Sequence, residues 1–129
     1  MARLLVVDDE QRFRTYLGRV LEAGGHEVRT AADDTGAHAA FEGFAPDLLV
    51  VDWMLRSKTD GLELAETLRA RHPGLRIIVI TGHPAGALRE RVAAGDFEAV
   101  LEKPFSPSLL REALTRALDP ARRGRADPT

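Results

Sequence analysis

Asp8 and Asp9 follow the apolar run Leu4 to Val7, and Asp52 follows the run Leu48, Leu49, Val50 and Val51. Two buried strands would therefore carry three carboxylates to one edge of a sheet. Carboxylates gathered there repel one another unless a cation lies among them, so a divalent ion with hard oxygen ligands, such as Mg2+, is the natural resident. Thr81 follows a third run, Leu75 to Ile80, and Lys103 follows a fourth, Glu98 to Leu101. Taken singly, each residue has a second reading that stays open. Asp8 or Asp9 would serve as an N-cap of the helix that follows, and Asp52 and Thr81 as turn residues after strands. Lys103, before Pro104, reads equally as an exposed loop lysine.

The elements that must position these residues are written in the spacing of the apolar positions. Five short runs, Arg3 to Val7, Glu27 to Ala31, Leu48 to Val51, Leu75 to Ile80 and Glu98 to Leu101, alternate with segments of helical period. The first helical segment sets Phe13, Leu17, Val20 and Leu21 on one stripe and ends at Gly24 and Gly25, which suit a left-handed cap. The second follows Asp33 and Asp34, either of which suits an N-cap, and turns Ala37, Ala40, Phe41 and Phe44 inward. The third carries Leu62, Ala65 and Leu68 and stops before Pro73 and Gly74. The fourth, roughly Pro84 to Ala94, is the weakest, because Gly86 inside it costs about 1 kcal/mol relative to Ala. The fifth opens with Ser106 as N-cap and Pro107 at its first position, then runs Leu110, Leu114 and Leu118 along one face.

Leu48 to Val51 and Ile77 to Ile80 are apolar without alternation, which predicts strands covered on both faces, as in a parallel sheet between two layers of helices. The expected fold is α/β, a doubly wound five-stranded parallel sheet with five flanking helices. Such folds bind ligands outside the carboxyl ends of their strands, where strand order reverses. All five candidate residues fall on that edge.

With 129 residues the chain has room for one domain, read as residues 1–119, with 120–129 as a tail or linker stub rich in arginine (Arg122, Arg123, Arg125). A net charge of -2 argues against a general affinity for nucleic acid, and three arginines in such a tail read as solvated. The absence of cysteine excludes disulfides and thiolate metal sites. Leu4 to Val7 is too short for a signal-peptide core, and no apolar run approaches membrane-spanning length, so the expected location is cytoplasmic, with no membrane partner.

The ordered set Asp8, Asp9, Asp52, Thr81, Lys103 and Pro104, each at a strand end, resembles the receiver domain of bacterial two-component response regulators over roughly Arg3 to Leu118. The resemblance implies strand order 2-1-3-4-5, a flavodoxin-like arrangement. It further implies phosphorylation of Asp52 by a histidine kinase or histidine phosphotransfer protein. Mg2+ would be held by Asp9, Asp52 and the backbone carbonyl of Met54, with Asp8 acting through water. Lys103 and Thr81 would bind phosphoryl oxygens, helped by the N–H of Gly82, and Pro104 would correspond to a cis-proline. Catalysis would be confined to the domain's own phosphorylation and dephosphorylation. The downstream target would meet the face of the fourth helix, fifth strand and fifth helix, in a monomer or a weak phosphorylation-linked dimer.

Two departures from the family pattern stand out. Leu55 and Arg56 replace the usual methionine and proline after the phosphoacceptor, and Gly61 is the ninth residue of a loop where glycine is usually the eighth. Val100 stands where many receivers have Tyr or Phe, so a ring that turns inward on activation is missing. His26, His38 and His72 have no metal-ligand spacing. His83, two residues after Thr81, is either a local cap before Pro84 or a residue that controls water at the acyl phosphate. The alternative to a phosphoacceptor is a pseudo-receiver, a binding module that works without phosphorylation. A phosphatase of the haloacid dehalogenase type fits less well, since its two aspartates are two residues apart on the first strand whereas Asp8 and Asp9 are adjacent. No DNA-binding, cyclase or kinase segment follows residue 118, so output through protein contacts, or through a segment beyond Pro120, is expected.

Overall fold

Leu48–Asp52 and Arg76–Thr81 are buried at every position, which requires helices on both faces of the sheet. The structure, a computed structural model that describes residues 2–55, 60–82 and 86–119, has that arrangement. Strand and helix alternate as β1 (Arg3–Val7), α1 (Gln11–Ala23), β2 (Glu27–Ala31), α2 (Asp34–Phe41), β3 (Leu48–Asp52), α3 (Gly61–Arg71), β4 (Arg76–Thr81), α4 (Gly86–Ala93), β5 (Ala99–Glu102) and α5 (Pro107–Ala117). All strand pairs are parallel and the order is β2-β1-β3-β4-β5. Order reverses between β1, which leads into Asp8, and β3, which ends at Asp52. The expected tail, Pro120 to Thr129, lies outside the described residues.

The two-residue period of the strands divides the core. Leu5, Val7, Leu49, Val51, Ile77 and Val79 face one way and pack with Phe41 of α2, Leu64 and Leu68 of α3 and Leu88 of α4. Leu4, Val6, Leu48, Val50, Ile78 and Ile80 face the other way and pack with Leu17 and Leu21 of α1 and Leu110 and Leu114 of α5. Three layers result, and both faces of the central strands lose water.

The helix starts follow their capping residues in three cases. Asp33 accepts from the N–H of Gly36 at 2.7 Å, Asp60 from Glu63 at 2.9 Å and Ser106 from Leu109 at 3.1 Å. The first helix differs from the capping reading of Asp8 or Asp9: its N-cap is Glu10, and no side chain caps it. Its end also divides the expected roles, for Gly24 has φ −80° and only Gly25, at +90°, takes the left-handed region. Helix α4 spans Gly86–Ala93 among the described residues, and the start expected near Pro84 lies outside them. Helix α2 ends at Phe41, leaving Phe44 buried beyond it. Among the described residues, no helix is long and apolar enough to cross a membrane.

Candidate functional site

Parallel pairing continues one residue past three strands and pins the chain where the candidate residues sit. The N–H of Asp8 donates to the carbonyl of Ala31 at 3.1 Å, that of Trp53 to Ile80 at 2.9 Å and that of Lys103 to Thr81 at 2.7 Å. Strand phase then aims the side chains. Asp8 continues the phase of Leu4 and Val6, Asp52 that of Leu48 and Val50, and Lys103 that of Ala99 and Leu101. All three side chains therefore emerge on the face covered by α1 and α5, and they meet.

Lys103 Nζ donates to Asp8 Oδ2 at 3.0 Å and to Asp52 Oδ2 at 3.3 Å. The remaining oxygens are held by backbone: Asp8 Oδ1 accepts from the N–H of Glu10 at 2.8 Å, and Asp52 Oδ1 from that of Met54 at 3.0 Å. Arg14 reinforces the first strand end by donating from Nη1 to the backbone carbonyl of Asp8 at 2.6 Å. Asp8 and Thr81 are fully buried and Asp52 nearly so, while Asp9 is half-buried. The peptide bond from Lys103 to Pro104 is cis.

The electrostatics follow from burial. Removal from water pushes the Asp8 carboxyl above its ordinary value, against the opposing pull of the Glu10 N–H and of Lys103. Burial alone would lower the Lys103 ammonium; Asp8, through its hydrogen bond and charge, and then Asp52 outweigh it and leave the lysine raised and charged. Two carboxyl groups, Asp8 and Asp52, thus share one ammonium, and a third, Asp9, lies beside them. One oxygen each from Asp8, Asp9 and Asp52 lies within 4.8 Å of the others. Hard oxygen donors at this spacing suit a small divalent cation, since opposite ligands of Mg2+ stand about 4 Å apart.

The loop after Asp52 is anchored at both described ends. Leu55 is buried against the α3 side of the core, and the N–H of Gly61 donates to the carbonyl of Trp53 at 3.2 Å. A Cβ on Gly61 would lie 2.1 Å from the Asp52 carbonyl oxygen and 3.0 Å from Trp53 Cα, so no other residue fits without moving the phosphoacceptor candidate's backbone. Arg56, His83 and Pro84 lie outside the described residues. Val100 is half-buried against the same core face as Val79.

Two neighbours of the site escape a reading of the sequence. Phe13 reads there only as part of an apolar stripe, yet its ring centroid is 4.3 Å from Lys103 Nζ. Asp60, which caps α3 beside Gly61, has a usable signal in the Glu three residues later.

The model of the response regulator receiver domain matches residues 4–115. The nitrogen assimilation regulatory protein NtrX of Azorhizobium caulinodans is 36% identical over 123 residues, which are 92% of this chain and 26% of that protein. The response regulator MprA of Mycobacterium avium is 39% identical over 116 residues, 88% of this chain and 48% of that protein. The chain thus spans less than half the length of these two curated relatives. Among solved structures, a CheY-like response regulator receiver domain protein from Methanospirillum hungatei superposes with a TM-score of 0.83 at 26% identity, covering 98% of this chain and 99% of that one. Strand order, strand-end carboxylates and sequence relationship agree: this chain belongs to the response regulator receiver domains of two-component systems.

Proposed function

We propose that this domain receives a phosphoryl group on Asp52 from a phosphohistidine of a histidine kinase or histidine phosphotransfer protein, and that Mg2+ is required. The observation that carries the reading is the Lys103 ammonium 3.0 Å from Asp8 and 3.3 Å from Asp52, beside a third carboxylate and at the strand-order switch point. Asp9, Asp52 and the carbonyl of Met54 would hold Mg2+, with Asp8 acting through water. Bound there, the ion supplies positive charge against the incoming phosphoryl oxygens.

The chain's own groups do the rest. A carboxylate oxygen of Asp52 attacks phosphorus in line with the leaving imidazole. The P–O bond forms as the P–N bond breaks, and the imidazole nitrogen keeps the electron pair and takes up a proton. Lys103 pairs with one phosphoryl oxygen; Thr81 Oγ1 and the N–H of Gly82 donate to another. Charge stabilisation of this kind is the main lever in phosphoryl transfer. Water later attacks the acyl phosphate, returning the Asp52 carboxylate and releasing inorganic phosphate, so the signal times itself. His83 is assigned a part in setting that lifetime.

Output is proposed to pass through the α4–β5–α5 face, in residues 1–119 of a cytoplasmic protein that is a monomer or a weak dimer when phosphorylated. A cavity of about 630 Å³ opens there, lined by Arg89, Val100, Glu102, Leu109, Glu112 and Arg116, with Arg89 paired to Glu102 at 2.9 Å. Leu109 is 44% exposed on it. The test uses Trp53, the chain's single tryptophan, next to Asp52 and half-buried against the core. Its fluorescence is expected to respond to Mg2+, and again to beryllofluoride only when Mg2+ is present. The beryllofluoride response disappears in Asp52→Ala. A beryllofluoride response that survives this substitution refutes the assignment.

A further inference from the structure

The Lys103 side chain is 17% exposed, and one boundary of its ammonium is the ring of Phe13, with its centroid 4.3 Å away. That ring is itself fixed. Phe105 meets it edge-on at 5.5 Å and 88°, and Tyr16 packs at 5.8 Å and 38°. Phe13 lies in the first turn of α1, five residues after Asp8; Phe105 lies two residues after Lys103. The two chain segments that carry the ion pair thus also carry the rings that cover it. A lysine has high rotameric freedom and a strongly hydrated head, so in an open site it spends much of its time directed to water. An aromatic face attracts the ammonium most where water is scarce.

We propose that Phe13 is a positioning residue, whose ring, braced by Phe105 and Tyr16, holds the Lys103 ammonium over Asp8 and Asp52, aimed at the place of the incoming phosphoryl group. The kinetic consequence rests on the phosphoacceptor reading above; the seat itself does not. Since Lys103 is no metal ligand, loss of the seat slows phosphoryl transfer without weakening Mg2+ binding.

The test compares Phe13→Leu, which keeps an apolar side chain on α1, with Phe13→Tyr, which keeps the ring. Phosphorylation by acetyl phosphate at saturating Mg2+ is expected to slow about three- to thirtyfold in Phe13→Leu, the range of a partly desolvated cation–π contact, and to return to within about twofold in Phe13→Tyr. The Mg2+ dissociation constant, read from Trp53 fluorescence, stays within about twofold in both variants. A wild-type rate in Phe13→Leu, a matching loss of Mg2+ affinity, or failure of Phe13→Tyr to restore the rate overturns the proposal. Reductive methylation of the metal-free protein separates the two claims. Lys103, scored against Lys58, the chain's other lysine, is expected to react at least about threefold faster in Phe13→Leu than in wild type. Faster methylation in a protein that acetyl phosphate never labels retires the phosphoacceptor reading and keeps the seat. Unchanged methylation removes the seat whatever the phosphorylation result.

Discussion

At the amino end of the sheet Arg76 is 8% exposed and donates from Nη1 to the carbonyl of Ala117, the last residue of α5. Nearby, Arg3 donates its N–H to Asp47 Oδ2 at 2.8 Å and its Nη1 to the Phe44 carbonyl at 3.1 Å. At the carboxyl end Asp8 and Asp52 share the Lys103 ammonium, and Asp9 brings a third carboxylate within reach of them. One end places a buried cation against the negative end of a helix, where the macrodipole favours it. The other gathers three carboxyl groups at a place pinned by backbone hydrogen bonds. Charge at the amino end stabilises the fold, whereas charge at the carboxyl end is poised for a ligand.

The contrast can be broken or sharpened by substitution, and the largest expected effect is at the carboxyl end. Gly61→Ala sets a methyl group into the Asp52 carbonyl and is expected to destabilise the protein by about 3 kcal/mol in urea unfolding, with Mg2+ affinity falling as the Asp52 backbone moves. Next comes the ion. Mg2+ at a hundredfold excess over its dissociation constant is expected to stabilise wild type by about 2.7 kcal/mol, and Asp8→Asn by far less.

The same variant has a pH signature. Burial raises the Asp8 carboxyl above 3.8, so the folded state holds its proton more tightly than the unfolded chain does. Stability from this group is present below 3.8 and is lost as pH rises through the folded value. Metal-free Asp8→Asn is therefore expected to gain stability on wild type as pH rises through that window, in paired urea titrations with chelator. Arg76→Met follows. It leaves the Ala117 carbonyl without its donor and is expected to cost about 2 kcal/mol, the same with and without Mg2+. Glu27→Gln is the smallest, for the Arg3–Glu27 pair at 3.8 Å is about half exposed, and its loss is expected to change stability by less than about 0.5 kcal/mol.

Much of this was legible in the residues. Arg3–Val7 and Glu27–Ala31 are strands at the predicted bounds, and the unbroken apolar runs of the central strands correctly implied two covered faces. The meeting of Asp8, Asp52 and Lys103 could be read because each ends a strand, and parallel strands bring their ends to one edge. What stayed hidden depends on packing between segments far apart in the chain. The stripe through Phe13 says that the ring faces inward, but its meeting with Lys103 depends on how α1 lies against the end of β5. The contact of Gly61 with the Asp52 backbone is set by the path of the returning loop, which no residue type announces. Asp8 as a cap failed for a local reason: its Oδ1 binds the Glu10 N–H, and helix α1 begins only after that residue.

The central claim is that the carboxylate cluster and Lys103 at the carboxyl edge serve phosphoryl transfer to Asp52. Intact-mass analysis after incubation with acetyl phosphate tests it most directly, with and without Mg2+, on wild type and Asp52→Ala. The account predicts one phosphoryl adduct, formed only with Mg2+ and absent from the variant. Mg2+ binding by wild type with no adduct from acetyl phosphate or from a phosphorylated histidine donor would contradict it, and would leave a binding module that works without phosphorylation.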